Sequence, residues 1–292
     1  MGKLRRSSVL FSVFVIFVSA VAFNQSRFGS AEARTLPAYD ISWPQCPDNL
    51  PSGEFGFAII GLNNGRAFTT NDCFVTQYAW ARQVEAHPDV YVNLDFPRAA
   101  DGRGDTGPYG ACPPADDWCR GYNYGYALAS DAVARARSLG ASPRRYWFDV
   151  EMANHWSDLP RDNSQVVRGA LDRFREMGVP VGIYGTRYQW GLITGGFAAP
   201  GTPLWVAGAE DGSDAISRCD DSSFAFAGGE TWLVQYEFNG YDGNYRFPRA
   251  EPVGRPEASK SPSPPPQHQP EVVPVPAWQE RSPAELKRLF GG

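Results

Sequence analysis

Between about Leu36 and Pro248 the chain alternates short apolar, β-rich runs with longer helical or loop stretches. Eight runs read as strands: Ala38 to Ser42, Gly56 to Leu62, Val90 to Asp95, Tyr146 to Glu151, Pro180 to Tyr184, Leu204 to Ala207, Thr231 to Tyr236 and a weaker one near Asp242 to Arg246. The most legible helices are Cys73 to Ala86, Tyr122 to Leu139 with its Ala-rich apolar face, and Ser164 to Met177, which stops at Gly178. Connections after the fifth strand are short and Gly-rich and leave little room for helices; Gly191 to Gly196 reads as a turn. This order predicts a single-domain α/β fold, a TIM-like parallel barrel of irregular type whose final strands join more tightly than the regular eightfold pattern requires.

The ends are different material. Lys3, Arg5 and Arg6 precede an apolar stretch from Val9 to Phe23, which is short for a spanning helix of roughly 20 residues. Small-residue cleavage patterns follow at Ala20-Val21-Ala22 and Ala31-Glu32-Ala33, the second lying just before folded sequence begins. Residues 1–33 therefore read as a signal peptide, with an uncleaved membrane anchor as the alternative, and the body is expected to be secreted or held in the cell envelope. Residues 36–248 form the expected barrel. Residues 249–292 hold ten of the chain's 25 prolines and read as a disordered tail. Within it, Ser282-Pro283-Ala284-Glu285 has a capping pattern ahead of Leu286, Leu289 and Phe290, suited to a short terminal helix.

Composition narrows the function. With 27 basic against 32 acidic residues the chain lacks the basic footprint of a nucleic-acid binder. Nine Trp, 13 Tyr and 18 Phe beside those acids suit a pocket that stacks on sugar rings and works with carboxylates. Five cysteines fit an oxidising compartment: Cys112 and Cys119 bracket a short loop and are expected to clip it, Cys46 with Cys73 would tie the first two loops, and Cys219 is the odd fifth. There is no Cys-x-x-Cys pair and the histidines are His87, His155 and His268, so no metal is expected.

Barrel chemistry sits at the carboxyl ends of the strands, and here those ends carry acids: Asp40, Asp95, Asp149, Glu151 and Asp242. Strand alternation puts Trp147, Asp149 and Glu151 on one face, with the two carboxylates about 7 Å apart. Such a pair suits glycoside hydrolysis, in which one group protonates the leaving oxygen while the other stays ionised. The longer Glu151 is assigned the acid. The plainer reading is that Asp149 and Glu151 cap loops or pair with Arg144 and Arg145; recurrence of acids at several strand ends weighs against it. Trp43, Tyr184, Trp190, Trp205 and Tyr236 lie at or just past strand ends, where a ring can stack on a sugar, although any one of them alone reads as core. Tyr184 and Gln235 bring polar contacts to the same mouth. His155 follows Glu151 and reads as a surface histidine.

One set of motifs resembles a known family. Tyr39-Asp40-Ile41-Ser42, Phe57-Ala58-Ile59-Ile60, Phe148-Asp149-Val150-Glu151, Gly182-Ile183-Tyr184, Leu204-Trp205-Val206-Ala207, Gln235-Tyr236 and Asp242-Gly243-Asn244 are similar, in the same order, to the glycoside hydrolase family 25 muramidases. The resemblance implies a barrel of five β/α units and three further strands, (β/α)5β3. It also implies cleavage of the β-1,4 bond between N-acetylmuramic acid and N-acetylglucosamine in peptidoglycan, with no cofactor. On it, Glu151 would be the general acid, Asp149 its partner, Asp40 and Asp242 flanking acids, and Tyr184 a substrate holder. Trp205, Gln235, Tyr236, Trp43 and Asp95 complete the expected substrate-binding set. Where family members carry an aromatic-His pattern on the third strand, this chain has Tyr91-Val92-Asn93-Leu94-Asp95-Phe96, and the Asp101 to Cys119 insertion is expected to reshape the cleft. The chain thus reads as a divergent, exported, monomeric glycosidase acting on a polysaccharide. The alternative is an inactive barrel that binds cell-wall carbohydrate, and no role is expected with nucleic acid, nor with membrane unless the amino-terminal segment is retained.

Overall fold

The computed structural model describes residues 36–47, 49–98 and 101–248; the expected signal segment and the Pro-rich tail lie outside them. All eight expected strands form. In chain order the barrel strands are β1 (Tyr39–Ile41), β2 (Ala58–Gly61), β3 (Asp89–Asn93), β6 (Tyr146–Asp149), β7 (Val181–Gly185), β8 (Leu204–Ala209), β9 (Thr231–Phe238) and β10 (Tyr241–Arg246), with β4 (Thr106–Gly107) and β5 (Gly110–Ala111) forming a separate small hairpin. The barrel closes in the order β1-β10-β9-β8-β7-β6-β3-β2. The barrel strands β1, β2, β3, β6, β7, β8 and β9 run parallel around it, and β10 returns antiparallel to both β9 and β1, so one tight hairpin closes the ring.

Among the described residues five helices cover the outside: α1 (Phe74–Ala81), α2 (Asp117–Ser138), α3 (Pro160–Glu176), α4 (Arg187–Thr194) and α5 (Gly212–Asp220). They follow β2, the hairpin after β3, β6, β7 and β8, which makes five β/α units and three further strands. Helices α4 and α5 correct the expectation of helix-free connections after the fifth strand. Both are short and are set by their ends rather than by a long apolar face: the Thr186 side chain accepts from Gln189 N and Gly195 ends α4 in the left-handed region, while Asp211 accepts from Ser213 N and Asp214 N. Gly191, read as part of a turn, lies inside α4.

Strand alternation divides the core in two. Side chains such as Ile41, Ile60, Val90, Val92, Phe148, Ile183 and Val206 pack outward against Leu128, Val167, Leu171 and Phe174 of the helices. The alternate positions, Ala38, Phe57, Ile59, Trp147, Trp205 and Leu233, fill the barrel interior as a second cluster. Helices α2 and α3 touch backbone to backbone: a Cβ on Gly125 would lie 1.9 Å from Val166 O, and one on Gly169 would lie 2.1 Å from Tyr122 O.

Both expected disulfides form, Cys46–Cys73 and Cys112–Cys119, each with Cα atoms 5.7 Å apart. Cys219 is buried on α5. The Asp101 to Cys119 insertion is tied to the helical layer: Asn123, fully buried on α2, donates to the carbonyls of Gly104 and Gly110 and accepts from Tyr109 N, and the Tyr109 ring stacks on Tyr122 at 3.9 Å. Arg103 and Asp105, part of this insertion, pair with Asp101 and Arg120.

The interior is filled by shape as well as by hydrophobicity. A Cβ on Gly182 would meet the Trp147 ring at 2.2 Å and Pro203 O at 3.0 Å. Gly182→Ala is expected to lower the unfolding free energy by about 1–3 kcal/mol, read as a lower urea midpoint at unchanged slope. An unchanged midpoint would mean that Trp147 is not confined by its neighbours.

Candidate active site

The sequence places polar residues near the carboxyl ends of interior-facing strand positions, and closure of the barrel brings them into one cleft of about 340 Å³. Its lining is Asp40 from β1, Tyr91 from β3, Asp149 from β6 with Glu151 just beyond, Tyr184 from β7, Trp205 from β8, Gln235 from β9 and Asp242 from β10. Among the described residues, no Lys, Arg or His lines it.

Neutral amides hold the acids. Asn244 Nδ2 donates to Asp40 Oδ2 at 2.7 Å, and Gln235 Nε2 lies 3.2 and 3.1 Å from the two Asp40 oxygens. The far ends of both amides are engaged as well: Trp205 Nε1 donates to Asn244 Oδ1 at 2.8 Å, and Tyr184 OH donates to Gln235 Oε1 at 2.8 Å. These bonds fix which end of each amide faces Asp40. Across the cleft, Asn93 Nδ2 donates to Asp149 Oδ2, while Asp149 Oδ1 is buried with no N–H donor upon it among the described residues and the carboxyl is hydrogen-bonded with Glu151. Glu151 is half-buried past the end of β6, and its carbonyl accepts from Trp156 Nε1 at 2.8 Å and from Asn154 N at 3.1 Å. Asp242 sits exposed on the rim, in register with Asp40 on one side and Glu237 on the other.

All four carboxyls are shifted toward the neutral form. Burial raises Asp40 well above the usual carboxylate range, the nearby Asp242 charge adds to it, and the bonds from Asn244 and Gln235 partly oppose it. Asp149 is likewise raised well above that range, first by burial and then by the charge of Glu151. Burial also raises Glu151 and Asp242. The Tyr184 phenol, buried beside Asp149 and Glu151, is pushed upward too. Carboxyls this close titrate together, and one proton is readily shared between Asp149 and Glu151. Among the described residues, no group of three or more His, Cys, Asp or Glu side chains is arranged to hold a metal ion.

Of the expected site residues, Asp40, Asp149, Glu151, Asp242, Tyr184, Trp205 and Gln235 share this cleft. Trp205 is 1% exposed, so it forms the floor and holds Asn244 instead of offering an open ring. Three others lie elsewhere. Tyr236 alternates with Gln235 and therefore faces the outer core, beside Phe238 and Gly212. Asp95 lies two residues past the end of β3 and turns toward α2, where it accepts from Tyr124 OH at 2.6 Å and pairs with Arg98. Trp43 stands on the short 3-10 turn Trp43–Gln45 after β1, 49% exposed and beside Gly65. The insertion contributes no residue to the cleft lining, and His155 is exposed. Tyr91, Asn93 and Asn244 were not among the expected site residues; their signal is that each shares strand parity with an interior neighbour.

A family model described as "Lysozyme-like protein 1" matches residues 118–229, from α2 to the loop before β9. The chain is 32% identical to counting factor 45-1 of Dictyostelium discoideum over 125 residues, which is 42% of this chain and 40% of that protein. It is 26% identical to lysozyme-like protein 7 of Caenorhabditis elegans over 83 residues, 28% of this chain and 29% of that protein. The match thus spans well under half the length of either relative. A solved structure of GHIP, a glycosyl hydrolase 25 of Streptococcus pneumoniae, is similar with a TM-score of 0.45 at 17% identity, over 73% of this chain and 88% of that one. The chain is similar to lysozyme-like proteins over part of its length, and the resemblance read from its strand motifs is borne out at that level.

The raised carboxyls make a prediction about stability. Between the usual aspartate value of 3.8 and its raised native value, Asp149 binds more protons folded than unfolded. Its contribution is therefore fully present below 3.8 and is lost as pH rises through the native value. Asp149→Asn is expected to raise Tm at pH 7 by about 2–4 °C, with a difference that shrinks toward pH 4. A variant that melts below the wild type at pH 7 would contradict the direction of the shift.

Proposed function

We propose that the protein is an exported glycoside hydrolase that cleaves β-1,4 bonds of peptidoglycan by carboxylate catalysis. The observation that carries this reading is the convergence of Asp40, Asp149, Glu151 and Asp242 on one cleft that no cationic side chain among the described residues lines. Similarity to lysozyme-like proteins supports the glycan class, and two disulfides fit an oxidising compartment. Among the described residues, no helix is long and apolar enough to cross a membrane.

Glu151 is the acid in this reading. It is the longer and more open member of the pair, and its upward shift keeps a proton available closer to neutral pH. As the glycosidic bond breaks, positive charge develops on the sugar, and the ionised members of the set stabilise it from fixed positions. Asp149 lies nearest Glu151 along the chain; Asp40 and Asp242 flank the opposite wall. Trp43, outside the cleft lining but three residues beyond Asp40 and half exposed, offers an apolar ring to a glycan that extends past the cleft.

The test is release of reducing ends from purified peptidoglycan. Glu151→Gln is expected to lower turnover ~10²–10⁴-fold while the protein still sediments with the wall material. Absence of cleavage by the wild type, with sedimentation retained, would instead favour a barrel that binds wall carbohydrate without cleaving it. Trp43→Ala is expected to raise KM several-fold with kcat nearly unchanged, the signature of lost binding common to the ground and transition states. A fall in kcat at constant KM would remove Trp43 from that role.

A further inference from the structure

We propose that Asn63 and Asn93 form a two-residue brace that holds Asp149 by Oδ2 beside Glu151, and thereby makes Asn93 a positioning residue for the acid pair. The inference rests on the glycosidase reading for its catalytic meaning, but the brace itself is a matter of geometry.

Asn63 lies in the loop just after β2 and is 2% exposed. Its amide uses both ends on one residue: Nδ2 donates to Asn93 O at 3.0 Å, and Oδ1 accepts from Asn93 N at 3.1 Å. This fixes the last residue of β3 as a neighbouring strand would. The Asn93 side chain then reaches the facing residue of β6, since Asn93 and Asp149 are register partners, and donates to Asp149 Oδ2. The backbone at the same level is tied by Leu94 N to Asp149 O at 3.0 Å, and Asn154 Nδ2 reaches the same carbonyl at 3.2 Å. One oxygen of Asp149 is thus held by Asn93; no N–H reaches the other, and the carboxyl shares a side-chain hydrogen bond with Glu151.

An N–H donor favours the charged form of a carboxylate, so Asn93 works against the burial that drives Asp149 toward protonation. The remaining titratable groups facing Asp149 are Glu151, Asp40, Tyr184 and Tyr91, and none is a cation. Asn93, with Asn154 acting in the same direction, is a neutral donor that tips the shared proton from Asp149 toward Glu151, where a leaving oxygen can receive it. Asn63 acts one step further back, by fixing Asn93.

Carbon-13 carboxyl titration of the folded chain, with Asp149 and Glu151 assigned, tests this without requiring activity. Asn93→Ala is expected to move the Asp149 midpoint upward by about one pH unit and the Glu151 midpoint downward. Asn63→Ala, which leaves the Asn93 side chain in place, is expected to give smaller shifts in the same directions. If Asn93→Ala fails to fold, Asn63→Ala and Asn93→Ser carry the test. Unchanged Asp149 and Glu151 midpoints in a folded variant would overturn the proposal. If the midpoints move as expected while the wild type cleaves no glycan, the brace stands and the glycosidase reading falls.

Discussion

The structure turns on the burial of the Asp40 and Asp149 carboxyls inside the mouth of a closed barrel, each met by side-chain amides. A carboxylate removed from water needs a compensating charge or hydrogen bonds, or it must take up a proton. A cation would compensate most strongly, but it would also hold the acid ionised. Amides supply direction without net charge. Asn244 and Gln235 therefore position Asp40 while leaving its proton affinity high, and Asn93 does the same in part for Asp149. The opposite end of the barrel shows the contrast. Asp89, the first residue of β3, meets Arg144 Nε at 3.1 Å and Trp147 Nε1 at 3.1 Å, an ordinary charge pair at the end where barrels build stability.

The rest of the interior serves that mouth. Trp147 and Trp205 pack edge to face with centroids 5.9 Å apart, and Gly182 leaves the room that Trp147 needs. Trp205 belongs both to this apolar layer and, through its indole N–H, to the amide network above it. The floor of the cleft is consequently as rigid as the core it grows from. Such preorganisation has a thermodynamic cost, because acids held near neutrality by burial weaken the fold as pH rises, a trade common at functional sites.

Much of this was legible in the chain. The eight strands announced themselves because parallel barrel strands are short apolar runs, and the acids at their ends could be found from the direction of the chain alone. Helices α4 and α5 were not, since eight or nine residues carry too little periodicity and their determinants are single caps at Thr186 and Asp211. Tyr236 went to the wrong face because it was taken together with Gln235 as a motif, whereas neighbours on a strand face opposite ways. The apolar alternation runs on to Asp95, whereas β3 ends two residues earlier. Least legible were the amides. Asn244 meets Asp40 across 204 positions and Asn93 meets Asp149 across 56, and both contacts depend on strand register that no local pattern encodes.

The central claim is that the buried acids act on a glycosidic bond, with Glu151 delivering the proton. The most direct measurement is a crystal structure of the Glu151→Gln protein with a muramic-acid-containing oligosaccharide. The account predicts a glycosidic oxygen within about 2.6–3.2 Å of the residue 151 side chain, with Asp149 Oδ1 facing the sugar beside it. A glycan bound away from this cleft, or seated in it with no glycosidic oxygen near residue 151, would contradict it.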